Sequence, residues 1–381
     1  MQQVLEHYLT EDCCRQRQKA LRSAAPEHSL ILISLPEHVT YFTDLQFNLV
    51  SNSPRSLSFL LIEPDGKSFL VADNHATRRQ PEPFVDEYQI VRYYTHQDPV
   101  PDRRRAVQEH CVRLLRTLRF DAIATDLVAL PGWLFREISP RQVHDLSETI
   151  RQMRRRKDPD ELALIQRSAR AIEAGLQWAR EKVRPGMSEL EVYREIESVC
   201  TEVIGAPVVV YGDFASGPRT WIDRGGPPTR RRIEPGDLLL LDFSVVVGGY
   251  RADFTNTLCI GEPSRQQEEL MELCLKAMAA GEEQLRAGAV GKNVWQAVND
   301  VLEAASPAYR LPHHAGHGLG LEHPEPPVFG LASDDVLAEN DVVTLEPGVY
   351  VEGIAGIRIE HNYRITADGF ERISRHHIGL R

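Results

Sequence analysis

Asp242 and Asp253 are the first residues whose spacing suggests chemistry. They lie in LLLLDFSVVVGGYRADFTNTLC, residues 238–259. Two apolar, β-branched runs flank Gly248-Gly249 there, a signal for a tight hairpin. With the glycines as a two-residue loop, Val247 pairs with Tyr250, Ser244 with Asp253 and Asp242 with Thr255. Side chains alternate faces along a strand, so Asp242, Ser244, Asp253 and Thr255 share one face. The two aspartates become diagonal neighbours, roughly 7–8 Å apart at the backbone. Carboxylates this close resist ionising together, and a divalent cation between them is the simplest remedy. A hairpin with its polar face in water is the rival reading. The LLLL run before Asp242 argues against it, because it reads as a strand buried on both faces.

Three further stretches extend the constellation. HHAGHGLG, residues 313–320, sets His317 in a glycine-rich loop that leaves its imidazole uncrowded. DVVTLEPGVYV, residues 341–351, reads as a strand with Glu346 just before a Pro-Gly bend. IRIEHNYRIT, residues 357–366, reads as a strand carrying Glu360. If these two strands fold back about Gly353, Glu346 and Glu360 come face to face. A single acidic residue is most often a surface charge, but five candidate ligands at the ends of one strand set are not explained that way. Asp242, Asp253, His317, Glu346 and Glu360 supply more anions than one ion needs, and suit two divalent ions ~3.5–4 Å apart. Oxygen-rich ligation favours manganese, with cobalt, iron or zinc as substitutes, over a thiolate site.

The rest of the chain must position these groups. Its 381 residues suggest two or three domains. Apolar content of 42% and charged content of 26% are ordinary for a globular protein. A net charge of −11 argues against nucleic acid or an anionic membrane as partner. Six scattered cysteines without a CxxC pair read as reduced thiols of a cytoplasmic protein. The acidic N-terminal stretch does not read as a signal peptide, and no apolar run approaches the ~18 residues of a membrane span.

Residues 1–25 read as a helix, 29–35 as a strand and 36–38 as the start of a turn. Strands follow at 57–62, 68–72, 88–93 and 122–125, with a helix at 103–118. That alternation implies an α/β domain over residues 1–150. The basic run RQMRRRK, residues 151–157, reads as a solvated helix face at a domain junction. Beyond it, Asp158-Pro159 and the Ser188…Glu191 capping box open two helices. A strand is expected at 208–211, an irregular loop at 212–228, and helices at 264–286 and 294–305. Helix pairs followed by hairpins make residues 158–381 an α+β domain, with the hint of an internal repeat.

The segments GGYRADFTNT, GHGLGLE, TLEPGVYV and GIRIEHNYRIT resemble the signature stretches of the pita-bread metallopeptidase family. The resemblance spans about residues 158–381. The first half, with SLPEHVTYFTDL, is similar to the creatinase-type N-terminal domain of prolidase and aminopeptidase P. The resemblance implies an α/β N-terminal domain followed by an α+β pita-bread catalytic domain. It implies a dinuclear metallopeptidase of the Xaa-Pro dipeptidase or aminopeptidase type, cleaving short peptides by attack of a metal-bridging hydroxide. Glu346 would bind metal and shuttle a proton, His313 would stand near the substrate, and Arg358 would orient the metal-binding carboxylates. A homodimer is implied as well.

Two departures stand out. Family members carry Pro-His before the central hairpin, where this chain has Asp223-Arg224. They carry Val-His-Glu after the metal histidine, where it has His323-Pro324-Glu325. Arg224 is therefore expected to offer positive charge to an oxyanion or a substrate carboxylate, and His323 to act from the neighbouring position. Two rival functions follow: a lyase or C–N hydrolase acting on a small polar molecule, and a metal-free binding module.

Overall fold

Short apolar runs separated by turns build the first of two compact units, Met1–Arg154 and Arg155–Arg381. The computed structural model describes residues 6–46, 58–74, 81–92, 96–97, 102–138 and 142–381. In the first unit these are helices α1 (Glu11–Ala24), α2 (Pro36–Thr43), α3 (Arg103–Thr117) and α4 (Gly132–Ile138), with α5 (Ser147–Arg155) reaching the boundary. The strands are β1 (Ser29–Ile33), β2 (Ser58–Ile62), β3 (Ser68–Asp73), β4 (Glu87–Val91), β5 (Ala122–Thr125) and β6 (Gln142–Asp145). They form one mixed sheet in the order β4-β3-β2-β1-β5-β6. Leu30, Leu32, Phe59 and Leu61 from this sheet pack with Val107, Cys111 and Leu115 of α3.

Three expectations change here. The first helix begins at Glu11, where the Thr10 side chain caps it by accepting from the Cys13 N–H; residues 1–5 lie outside the described residues. Pro36 starts α2 rather than a turn, because its fixed φ and missing N–H suit the first helical position. Arg155 and Lys157 of the basic run are buried, not solvated. They are tolerated because Arg155 pairs with Asp341 at 2.6 Å and Lys157 with Glu325 at 2.5 Å. Leu57 and Tyr93, the expected ends of two strands, lie outside the described residues.

The second unit opens with α6 (Pro159–Lys182) and α7 (Glu189–Ile204), each started by a capping box. Strand β7 (Val209–Ser216), short helix α8 (Arg219–Ile222), β8 (Leu238–Val247) and β9 (Tyr250–Cys259) follow. A second helix pair, α9 (Arg265–Glu282) and α10 (Gly291–Ala305), precedes β10 (Gly316–Gly318) and β11 (Glu325–Phe329). The chain ends through β12 (Val342–Leu345), β13 (Gly348–Val351), β14 (Ala355–Arg358), β15 (His361–Ile365) and β16 (Phe370–Arg372). Its sheets are ordered β7-β8-β9, β11-β10-β12-β15-β16 and β13-β14. Cys274, Met278, Trp295 and Val298 of the second helix pair pack against Leu345 and Ile357.

The β8–β9 hairpin has the register read from sequence: Asp242↔Thr255, Ser244↔Asp253 and Val247↔Tyr250. Gly248 and Gly249 both take positive φ, 59° and 89°, which a two-residue loop of this hand requires. Leu238 to Leu241 are at most 2% exposed, each side chain contributing about 1.5–3 kcal/mol by burial. The expected irregular loop after residue 211 is instead strand as far as Ser216, paired with β8 along its whole length, and then α8.

Candidate metal and catalytic site

The two C-terminal strands are broken at the residues that matter. Leu345 pairs with His361 and Gly348 with Arg358, so the same register holds on both sides of the break. Within it, the Glu346 N–H donates to the Ala315 carbonyl at 2.8 Å and the Glu360 N–H to the Thr255 carbonyl at 3.0 Å. Both glutamates are thereby tied to the other ligand-bearing segments, the histidine loop and β9. This is why the expected continuous strands 341–351 and 357–366 appear as four short ones.

All five candidate ligands converge. Ligand atoms of Asp242, Asp253 and Glu360 lie within 4.8 Å of one another, and so do those of His317, Glu346 and Glu360. Glu360 belongs to both groups. Its Oε2 accepts from Thr255 Oγ1 at 2.7 Å, while its Oε1 is buried without a hydrogen-bond partner. A buried carboxylate oxygen in that state calls for a cation. His317 Nδ1 lies 2.9 Å from the Gly318 carbonyl, so it donates there and leaves the Nε2 lone pair facing Glu346 Oε1 at 3.5 Å. These donors fit divalent metal ions.

The electrostatics agree. Burial pushes the Asp242 carboxyl up to about 7, against the pull of Arg358. Burial, with Asp253, Asp242 and Glu346 nearby, holds Glu360 well above the usual carboxylate range. Burial also pushes Glu346 upward, but the His314 hydrogen bond and the charges of His317, His314 and His313 outweigh it and leave that carboxyl at about 2.

Arg358 braces the carboxylates. Its Nε donates to Asp242 Oδ2 at 2.8 Å and its Nη2 to both Asp242 and Asp213. Nη1 donates to the Arg224 carbonyl at 2.9 Å and to Tyr350 Oη at 3.0 Å. All five N–H groups are thus used, and none remains for a substrate. His313 is similarly engaged. Its Nδ1 lies 2.7 Å from the His314 carbonyl and its Nε2 3.0 Å from Tyr350 Oη, while burial lowers the ring to about 4.

His323 stands in the site, with Nε2 2.6 Å from Asp253 Oδ2. Burial alone would lower its ring, yet the hydrogen bond and charge of Asp253, with Asp242, raise it. Arg224 borders the site beside Tyr350 and Arg358. Its guanidinium carbon lies 5.6 Å from the Tyr350 ring centre, and only its backbone carbonyl meets Arg358. Its backbone is left-handed, φ 60°.

A cavity of about 300 Å³ opens over these groups, lined among others by Tyr211, Asp213, Ser244, His314 and His323. Asp213 and His314 carried no role in the sequence reading. Asp213 pairs with Asp242 across β7 and β8, and alternation along VVYGD was the available signal. His314 Nδ1 lies 3.2 Å from Glu346 Oε1; in HHAGH it was adjacent to a ligand but not distinguishable from loop.

Residues 163–367 match the model of metallopeptidase family M24. The chain belongs to that family. It is 28% identical over 349 residues to an uncharacterized peptidase of Staphylococcus aureus strain USA300, covering 89% of this chain and 92% of the relative. The X-Pro aminopeptidase from Thermotoga maritima superposes with a TM-score of 0.80 at 26% identity, over 96% of this chain and 98% of that one. A Xaa-Pro dipeptidase from Bacillus anthracis superposes with a TM-score of 0.80 at 23% identity, over 97% and 99%. The two-domain pita-bread fold of the prolidase and aminopeptidase P branch is therefore this M24 chain's fold, and the chain is a metallopeptidase. Among the described residues no helix is long and apolar enough to cross a membrane.

Proposed function

We propose that this M24 chain is a two-metal peptidase that removes N-terminal residues from short peptides, with Xaa-Pro bonds as its preferred target. The observation that carries this reading is Glu360, shared between two ligand groups with one buried oxygen left without a partner. Asp242, Asp253 and Glu360 would hold one ion, and His317, Glu346 and Glu360 the other. When bound, two divalent ions make a water nucleophilic near neutral pH and polarise a carbonyl.

The protein groups around that centre divide the remaining work. Glu346, kept ionised by its histidine neighbours, takes a proton from the attacking water and delivers it to the departing amine. His314, 3.2 Å from that carboxylate, exchanges the proton with solvent. His323 is biased toward its protonated form by Asp253 and donates to the carbonyl oxygen as negative charge develops there. His313 is bound on both ring nitrogens, so His323 rather than His313 is assigned this role. Arg358 acts by holding Asp242 in place.

A panel of dipeptides and longer peptides, with proline or alanine second, tests the reading in saturating manganese. Release of the N-terminal residue, fastest before proline, is the expected result. No release from any peptide, together with turnover of a small amidine or sulfonium compound, would overturn it.

A further inference from the structure

A second cavity, of about 310 Å³, lies at the open end of the β8–β9 hairpin, away from the Gly248-Gly249 loop. It shares no lining residue with the cavity over the metal ligands. Its walls come from the last turn of α6, the end of β9 and residues 380–381, with Val183, Leu258, Ile260 and Leu380 on the apolar side. The end of β9 is fixed there because the Cys259 N–H donates to the Leu380 carbonyl at 2.8 Å.

Every charged residue lining this hollow is an arginine: Arg180, Arg184 and Arg381. Arg381 pairs with Glu262 at 2.8 Å and with Glu268 at 3.4 Å. Among the described residues, Arg180 and Arg184 meet main-chain carbonyls and no acid. Arg180 Nη2 donates to the carbonyls of His377 and Gly379, and Arg184 to those of Glu181 and Val183. These carbonyls satisfy N–H groups but leave both cations without a counter-charge. Arg180 Nη1 is buried with no acceptor at all, and burial lowers this guanidinium with nothing acidic to offset it. A buried donor in that state calls for an acceptor, and the hollow beside it is where one can enter.

The two sides of the hollow select the ligand. Apolar walls favour an aliphatic group, which gains by leaving water. Guanidinium forks favour an oxyanion. A singly charged head costs less to desolvate beside apolar walls than a doubly charged one, so a carboxylate suits the hollow better than a phosphate monoester.

We propose that this cavity is a binding site for an aliphatic carboxylate, its tail against Leu258, Ile260 and Leu380 and its head at Arg180 and Arg184. The site stands apart from the metal centre and does not rest on the peptidase reading.

The test is calorimetric binding of octanoate, butyrate and 1-octanol to the full chain, both manganese-loaded and chelator-treated, at neutral pH, where the acids are ionised. Octanoate is expected to bind once per chain, with the same affinity whether or not manganese is present. It should bind at least about ten-fold tighter than butyrate, which buries fewer methylenes, and at least about ten-fold tighter than 1-octanol, which lacks the charge. Arg180→Gln is expected to weaken octanoate about ten-fold and to leave 1-octanol unchanged. Binding of octanoate to the manganese-loaded protein alone would place its carboxylate on the metal ions and overturn the proposal. Absence of octanoate binding, equal affinity for 1-octanol, or wild-type affinity in Arg180→Gln would overturn it as well. If Arg180→Gln does not fold, Arg184→Gln decides: a loss of about three-fold for octanoate alone supports the site, and an unchanged affinity refutes it.

Discussion

Glu346 and Glu360 face each other across a break in two strands whose register is the same on both sides, Leu345↔His361 and Gly348↔Arg358. Their backbone N–H groups turn away to Ala315 and Thr255, and their carboxylates meet His317 within 4.8 Å. The break is what converts a hairpin into a ligand platform.

Glu360→Gln tests the shared ligand. Bound metal, measured by plasma mass spectrometry, should fall from about two ions per chain to fewer than one, and peptidase activity should fall with it by at least about a thousand-fold. The metal-depleted variant should melt higher than metal-depleted wild type, because an acid that burial, and then Asp253 and Asp242, make costly to ionise has been replaced by a group that does not ionise. Unchanged metal content would remove Glu360 from the ligand set.

Arg358→Lys tests bracing. A lysine ammonium has three donors against the five that Arg358 uses, and cannot span Asp242, Asp213, Tyr350 and the Arg224 carbonyl together. Metal affinity should weaken by roughly 10–100-fold, read by competition with a chelating dye. Full activity at saturating manganese with unchanged metal affinity would show that the brace is dispensable.

The pH dependence of metal loading follows from the carboxylates. The folded, metal-depleted protein holds Asp242 at about 7 and Glu360 well above the carboxylate range, in both cases chiefly by burial. Both groups therefore keep protons at pH values where they would be ionised in the unfolded chain. Metal must displace those protons, so its apparent affinity rises with pH through this window. The melting-temperature increase given by a fixed manganese concentration should be larger at pH 8 than at pH 5.5. An equal increase at both values would contradict the shifts.

Lys157→Met examines the buried pair with Glu325. Removing one partner leaves the other as an uncompensated buried charge, at a cost of about 3–5 kcal/mol. Lys157→Met with Glu325→Leu should recover most of the loss, because two apolar groups need no pairing. Urea unfolding of the three proteins checks both statements. A single variant as stable as wild type would mean that Glu325 finds another partner or water.

The sequence by itself determined what local rules control. A two-glycine loop permits one register, so the Asp242–Asp253 face was readable, and so was the fold-back about Gly353 that opposes Glu346 to Glu360. Capping chemistry likewise marked α6 and α7. The tertiary structure alone decided the length of β7, whose pairing with β8 extends strand through residues that look like loop and places Asp213 beside Asp242. It also decided that Arg155 and Lys157 are buried, since their partners Asp341 and Glu325 lie more than 150 positions away in the chain. The same holds for Arg224, whose carbonyl accepts from Arg358, and for His323, which reaches Asp253 from a displaced position. Hairpin register is fixed by a few adjacent dihedral angles. Which charges meet, and which oxygen is left without a partner, depends on segments that only packing brings together.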